Sequence, residues 1–284
     1  MKSVLRNLSL FDTLTAAEAA VIEDAAETKT YEAGSEIPIA DRIVIIAEGR
    51  VRLDVSGAET RELGTLARGS LLGEMNLFEP EPAPLSAHAA ESATCLVWKH
   101  EAIKNTFRYS RTGAAKMMAV FSRSLSHKIR LANELLQAAP ASASGGARQP
   151  RELDALDLSR LRSFSISRDY AEGVSLFKEG DPGEELFVIY EGEVEILKQT
   201  SSGEPMSLAK LQTGDFFGEM AFVDQSPRSA SAVAATPLRV NIIASATLDL
   251  IFQYNVGLAL SFTNVLAKIM SRRLDVTVRR VAEL

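Results

Sequence analysis

One segment occurs twice in this chain, and the duplication limits the fold to a pair of related domains. Residues 72–87 (LGEMNLFEPEPAPLSA) overlay residues 217–232 (FGEMAFVDQSPRSASA) without a gap, at an offset of 145 positions. Gly73, Glu74 and Met75 fall on Gly218, Glu219 and Met220, whereas Arg228 falls on Ala83 and Ser229 on Pro84. A repeat of this length is too long for one turn of a solenoid, and 284 residues suit two ordinary domains. The segment 139–150 is small, polar and rich in Gly, Ser and Pro, with no side chains able to bury a face, and is expected to be a flexible linker. The predicted domains are therefore 1–138 and 151–284.

Both halves follow one plan. A short helical lead-in comes first; in the first half it runs from Leu5 to Phe11 and on to a capping box at Thr15 and Glu18. Short alternating strands follow: Arg42–Ala47 and Arg50–Val55 around Gly49, and Glu185–Tyr190 and Glu193–Leu197 around Gly192. Their close spacing predicts a small antiparallel roll or jelly roll. Apolar residues at 3–4 spacing then predict a long helix from Gly113 to about Leu136 and another from about Gly257 to the C-terminus. The expected class is α+β: two tandem β-rolls, each flanked by a short N-terminal and a long C-terminal helix.

A net charge of −6 argues against a broad phosphate-binding surface and hence against direct nucleic-acid binding. Cys95 is a single cysteine, and His88, His100 and His127 have no ligand spacing, so neither a disulfide nor a metal centre is expected. No run approaches the ~20 apolar residues of a membrane helix, and a cytoplasmic location is the default.

The chemistry of residues 218–230 is that of an anion receptor. Gly218 lets the backbone approach a ligand, with Met220, Ala221 and Ala230 adding small or flexible neighbours. Arg228 offers a fork of donors suited to phosphate, and Ser229 a hydroxyl. Glu219, acceptor-only when ionised, suits a sugar hydroxyl. No nucleophile–base pair accompanies them, so no enzyme activity is expected. The same Glu219 and Arg228 also allow a plain salt bridge across a loop.

The segment resembles the phosphate-binding cassette of the cyclic nucleotide-binding domain family, which includes the catabolite activator protein and the regulatory subunits of cyclic-AMP-dependent protein kinase. The resemblance implies Arg228 on the cyclic phosphate and Glu219 on the ribose 2′-hydroxyl. It further implies that Ser229, Gly218, Met220, Ala221 and Ala230 complete the cradle and that Leu208, Leu211 and Ile196 line the base. Residues 271–281 (SRRLDVTVRRV) resemble a family helix that brings a threonine to adenine, here Thr277, although the serine that follows it in the family is Val278 here. Ser229 and Thr277 favour cyclic AMP over cyclic GMP. In the first domain Ala83 and Pro84 remove the guanidinium and hydroxyl, while Glu79 and Glu81 add negative charge, so nucleotide binding is not expected there.

The implied protein is a receptor whose C-terminal helix, from about Leu248, moves on binding. With the chain ending at Leu284, before any helix-turn-helix domain, its signal is expected to pass by contact with a protein effector. A homodimer through a long helix is expected. The alternative is a constitutive scaffold whose rolls no longer respond to ligand.

Overall fold

The computed structural model describes residues 4–79, 81, 83–138, 162, 164–200 and 203–284. The predicted linker 139–150 and the helical lead-in of the second domain lie outside the described residues. The chain forms two compact units, Met1–Leu135 with Met270–Leu284, and Leu136–Ile269. Residues 270–284, placed in the second domain from sequence, pack with the first unit.

The first unit begins with short 3-10 turns at Leu5–Asn7 and Ser9–Phe11 and the helix α1, Ala16–Asp24. The capping box forms as predicted: the Glu18 backbone N–H donates to Thr15 Oγ1 while Thr15 N donates to Glu18 Oε2 at 2.8 Å. Strands β1 (Glu27–Tyr31), β2 (Arg42–Glu48), β5 (Leu71–Leu72) and β7 (Ala93–Lys99) form one antiparallel sheet in the order β1-β7-β2-β5. Strands β3 (Val51–Val55), β4 (Arg61–Leu66) and β6 (Leu85–Ala89) form the other, in the order β4-β3-β6. Helices α2 (His100–Tyr109) and α3 (Arg111–Ala138) follow.

The second unit repeats this roll. Strands β10 (Glu185–Glu191), β13 (Phe216–Phe217), β15 (Leu238–Ala244) and β8 (Ile166–Tyr170) make one sheet, ordered β13-β10-β15-β8. Strands β12 (Pro205–Gln212), β11 (Glu193–Gln199), β14 (Ser231–Ala234) and β9 (Ser175–Phe177) make the second, in that order. Strands β10 and β11 lie in different sheets, so the turn at Gly192 carries the chain from one sheet to the other and closes no hairpin; its φ of 94° is in the left-handed region that glycine reaches without strain.

Strand β10 explains its own continuous apolar run. Phe187 and Ile189 face the core between the sheets with Val194, Leu211 and Val240. Leu186 and Val188 face the other way, packing with Phe216, Phe222, Phe262 and Leu266. A strand buried on both faces loses the polar alternation of a half-exposed one, and each such side chain contributes about 1.5–3 kcal/mol. Phe222 belongs to the short helix α4, Glu219–Asp224. Phe262 and Leu266 belong to the last helix, and so the cassette helix and the start of that helix share one apolar cluster.

The helix expected as one piece from about Leu248 is two: α5, Ser245–Tyr254, and α6, Val256–Ala282. Asn255 leaves helical geometry (φ −147°, ψ 78°), and its side-chain oxygen accepts the backbone N–H of Leu258 at 3.0 Å, capping the new helix.

Candidate functional site

The cassette in the second unit is built around a buried arginine. Strand β13 ends at Phe217, and Gly218 turns the chain in the left-handed region (φ 78°) into helix α4. Arg228, on the loop back to β14, is 4% exposed, and Glu219 is 1% exposed. The Arg228 backbone is fixed by the Gly180–Asp181 turn: its N–H donates to the Asp181 carbonyl at 2.8 Å, and its carbonyl accepts from Gly180 N at 2.9 Å. Its Nη1 donates to the carbonyls of Glu185 (2.8 Å) and Gly218 (2.9 Å). The guanidinium carbon lies 4.2 Å from the centre of the Phe177 ring and 5.5 Å from that of Phe187.

None of these partners neutralises the charge. Among the described residues no carboxylate lies within ion-pair distance of Arg228, so the loop salt bridge with Glu219 does not form, and its buried Nε has no hydrogen-bond acceptor. Burial pulls the guanidinium below its ordinary pKa, against Glu185, Glu219 and Asp181, which act to hold its charge. A buried donor without an acceptor costs about 1–3 kcal/mol, more when charged, and an incoming anion removes that cost.

The structure brings most of the predicted residues together around this loop. Met220, Ala221 and Ala230 are buried. Among the described residues Ser229 donates its hydroxyl only to the Met220 sulfur, at 3.3 Å, and a thioether is a weak acceptor that a phosphate oxygen outcompetes. On the neighbouring sheet Ile196 pairs with Ala209 and Ala232, and Leu211 with Val194. The β11–β12 register then shifts between Ile196 and Leu197, where Ala209 and Ser207 are the successive partners, so Leu208 is the bulged residue. Leu211 is fully in the core, with Ile196 packed against it from a half-buried position. Thr277 is not part of this unit. It lies on α6 within residues 270–284, and its hydroxyl donates to the Arg273 carbonyl at 2.7 Å.

Three contributors were missed from sequence. Phe177 and Phe187 read as core strand residues, and nothing in their spacing marks them as the bed of the guanidinium. Gly183 abuts that group so closely that an added Cβ would overlap Arg228 Nε and come within 2.6 Å of its Cζ; its position two residues after the Asp181 turn was the available signal. Gly183→Ala is expected to push the guanidinium out of its seat and weaken anion binding about tenfold, read by calorimetric titration.

The first cassette keeps the backbone and changes the chemistry. Gly73 has the same left-handed turn (φ 81°), and Ala83, 5% exposed, stands where Arg228 stands in the second. Glu74, 1% exposed, is in contact with the ammonium of Lys128 from α3, itself 3% exposed. Lys128 also donates to the Leu71 carbonyl (2.7 Å) and to Ser124 Oγ (3.0 Å). Burial lowers the pKa of this ammonium, with Glu74 opposing the shift. The acceptor that a ribose hydroxyl would use is occupied by the protein's own lysine.

Among the described residues no three His, Cys, Asp or Glu side chains converge as a metal site, and no helix is long and apolar enough to cross a membrane. The model of the cyclic nucleotide-binding domain matches residues 31–110 and 167–255, one match in each roll, and the chain belongs to this family. A cAMP-dependent protein kinase regulatory subunit from Pyricularia oryzae is 30% identical over 178 residues, covering 63% of this chain and 40% of that protein. The Cyclic AMP receptor protein of Thermus thermophilus is 39% identical over 72 residues, 25% of this chain and 33% of the relative. The chain thus spans less than half the length of either curated relative. The regulatory domain of Toxoplasma gondii PKA, solved with cAMP, is 17% identical, with 91% of this chain and 92% of that one covered at a TM-score of 0.34.

Proposed function

We propose that the second unit is a cyclic AMP receptor and the first a structural partner domain that binds no nucleotide. One observation carries the reading: a guanidinium 4% exposed, with no carboxylate in contact among the described residues and an unsatisfied Nε. A cyclic phosphate supplies the missing negative charge, and Glu219, one residue past the Gly218 turn, accepts from the ribose hydroxyl. Ser229 gives up its sulfur contact to bind a phosphate oxygen. The early N–H groups of α4 have no partner within the helix and add donors. Leu208, Leu211 and Ile196 provide an apolar surface for the base, while Ser229 and Thr277 favour cyclic AMP over cyclic GMP.

Capture is coupled to the following helices through Phe222 on α4, which packs with Phe262 and Leu266 on α6. A ligand that binds one arrangement of these helices better than another shifts the population between them. The proposed output is contact with a protein effector in the cytoplasm, by a homodimer, without direct nucleic-acid binding and without catalysis. Calorimetric titration of the protein at about 100 μM with cyclic AMP and cyclic GMP tests the reading. One site per chain, tighter for cyclic AMP, is expected; no heat with either ligand sinks it in favour of a constitutive scaffold.

A further inference from the structure

The first cassette lacks the guanidinium of its counterpart but keeps an acid, Glu79, at the position of Asp224, and that acid is in use. Glu79, 8% exposed, accepts a hydrogen bond from Arg272 Nη1 at 2.6 Å. One residue earlier, fully buried Ser271 donates its hydroxyl to the Met75 carbonyl at 3.1 Å. Met75 and Glu79 lie one and five residues beyond Glu74, inside the duplicated segment. After this anchored turn Leu274, Val278 and Val281 are each 0% exposed, and their spacing of four and three puts them on one face of the helix. At its far end Gly57 lies so close that an added Cβ would overlap the Ala282 carbonyl. Burial raises the Glu79 carboxyl above its ordinary pKa while Arg272 opposes the rise.

We propose that the first cassette is a docking site for the chain's own C-terminal helix, gripping the Ser271–Arg272 turn through Met75 and Glu79. Ala83 removes the guanidinium while the acid at Glu79, which overlays Asp224, is kept, so the first cassette holds a cation in place of an anion, and that cation is a side chain of this protein. A second consequence rests on the receptor reading above. Thr277, a base contact in that reading, sits between the anchored turn and the helix end, so docking restrains it. Apparent affinity falls by the fraction of molecules in which the competent arrangement is populated, and weakening the dock raises it.

Hydrogen exchange on the full chain without nucleotide tests the dock directly. Arg272→Ala and Glu79→Gln are each expected to raise exchange across residues 273–284 about tenfold, because the ion pair that anchors the turn, with its carboxylate 6% exposed, is lost. Peptides covering residues 42–55 keep wild-type rates. Unchanged exchange at 273–284 in both variants overturns the proposal. So does an equal rise at 42–55, which makes the pair a general brace of the unit. Titration of the same proteins with cyclic AMP tests the restraint: both variants are expected to bind about three- to tenfold more tightly than wild type. Loosened helices with wild-type affinity overturn the restraint. Absence of heat from wild type and variants alike overturns the receptor reading, and the exchange data still decide the dock.

Discussion

An Arg228→Ala variant is expected to bind cyclic AMP at least about thirtyfold more weakly than wild type while its second unit stays folded. Truncating one partner of a buried, hydrogen-bonded charge pair costs about 2–5 kcal/mol, roughly 30-fold to several thousandfold in affinity. The stability change is predicted to be small because two effects oppose. The variant loses the Nη1 bonds to the carbonyls of Glu185 and Gly218, each worth about 1 kcal/mol. It also loses its stacking on Phe177, worth about 0.5–2 kcal/mol. Against these stands relief from a buried charge that has no carboxylate partner in contact. A shift of only a few degrees in melting midpoint follows.

Arg228→Lys sharpens the assignment. It keeps the charge but loses the planar fork that reaches two carbonyls and still faces an anion, so its affinity is expected to fall between those of wild type and the alanine variant. Calorimetric titration paired with circular-dichroism melting separates the outcomes. Wild-type affinity in Arg228→Ala places the anion elsewhere. Collapse of the second unit in both variants makes the arginine a brace and not a receptor group.

How far the sequence reached is clearest at particular residues. The glycine turns at Gly49 and Gly192 with strands on both sides, the Thr15–Glu18 cap and the duplicated segments rest on local patterns of turn residue, alternation or spacing, and are present in the structure; that each turn joins two sheets and closes no hairpin was not legible. The break at Asn255 was not legible, since apolar residues continue on both sides and a single asparagine seldom stops a helix. Lys128 reads as one more charged residue on a helix; its partner Glu74 is 54 positions away, and no periodicity links them. Phe177 and Phe187 supply aromatic faces to Arg228, yet the same residues are what any strand core uses. The stripe Leu274, Val278 and Val281 says that one helix face is buried. Amphipathicity does not say against which unit, and residues 270–284 cluster with the first.

Lys128→Met is expected to be the most damaging single change in the first unit, lowering its stability by about 3–5 kcal/mol. The methionine fills much of the space but strands Glu74, 1% exposed, without the cation that compensates its burial. It also leaves the Leu71 carbonyl and Ser124 Oγ without the ammonium they now share. Differential scanning calorimetry should show the transition of the first unit moving down by on the order of 10 °C, with that of the second unit in place. The double variant Glu74→Leu, Lys128→Met is expected to recover most of the loss. A buried ion pair returns little beyond its desolvation cost, and apolar residues of similar volume replace it at nearly equal stability. A double variant as unstable as the single one would mean that Lys128 serves the Leu71 carbonyl more than Glu74. Lys128→Met is not expected to add a nucleotide site, because freeing the Glu74 acceptor restores only the ribose contact, and the double variant lacks even that acceptor. Ala83 still offers nothing to a phosphate, and an anion entering a pocket without a guanidinium meets the desolvation cost that Arg228 offsets in the second unit. Stoichiometry should therefore stay at one cyclic AMP per chain, and a second equivalent bound by Lys128→Met would show that the ion pair alone had been closing the first cassette.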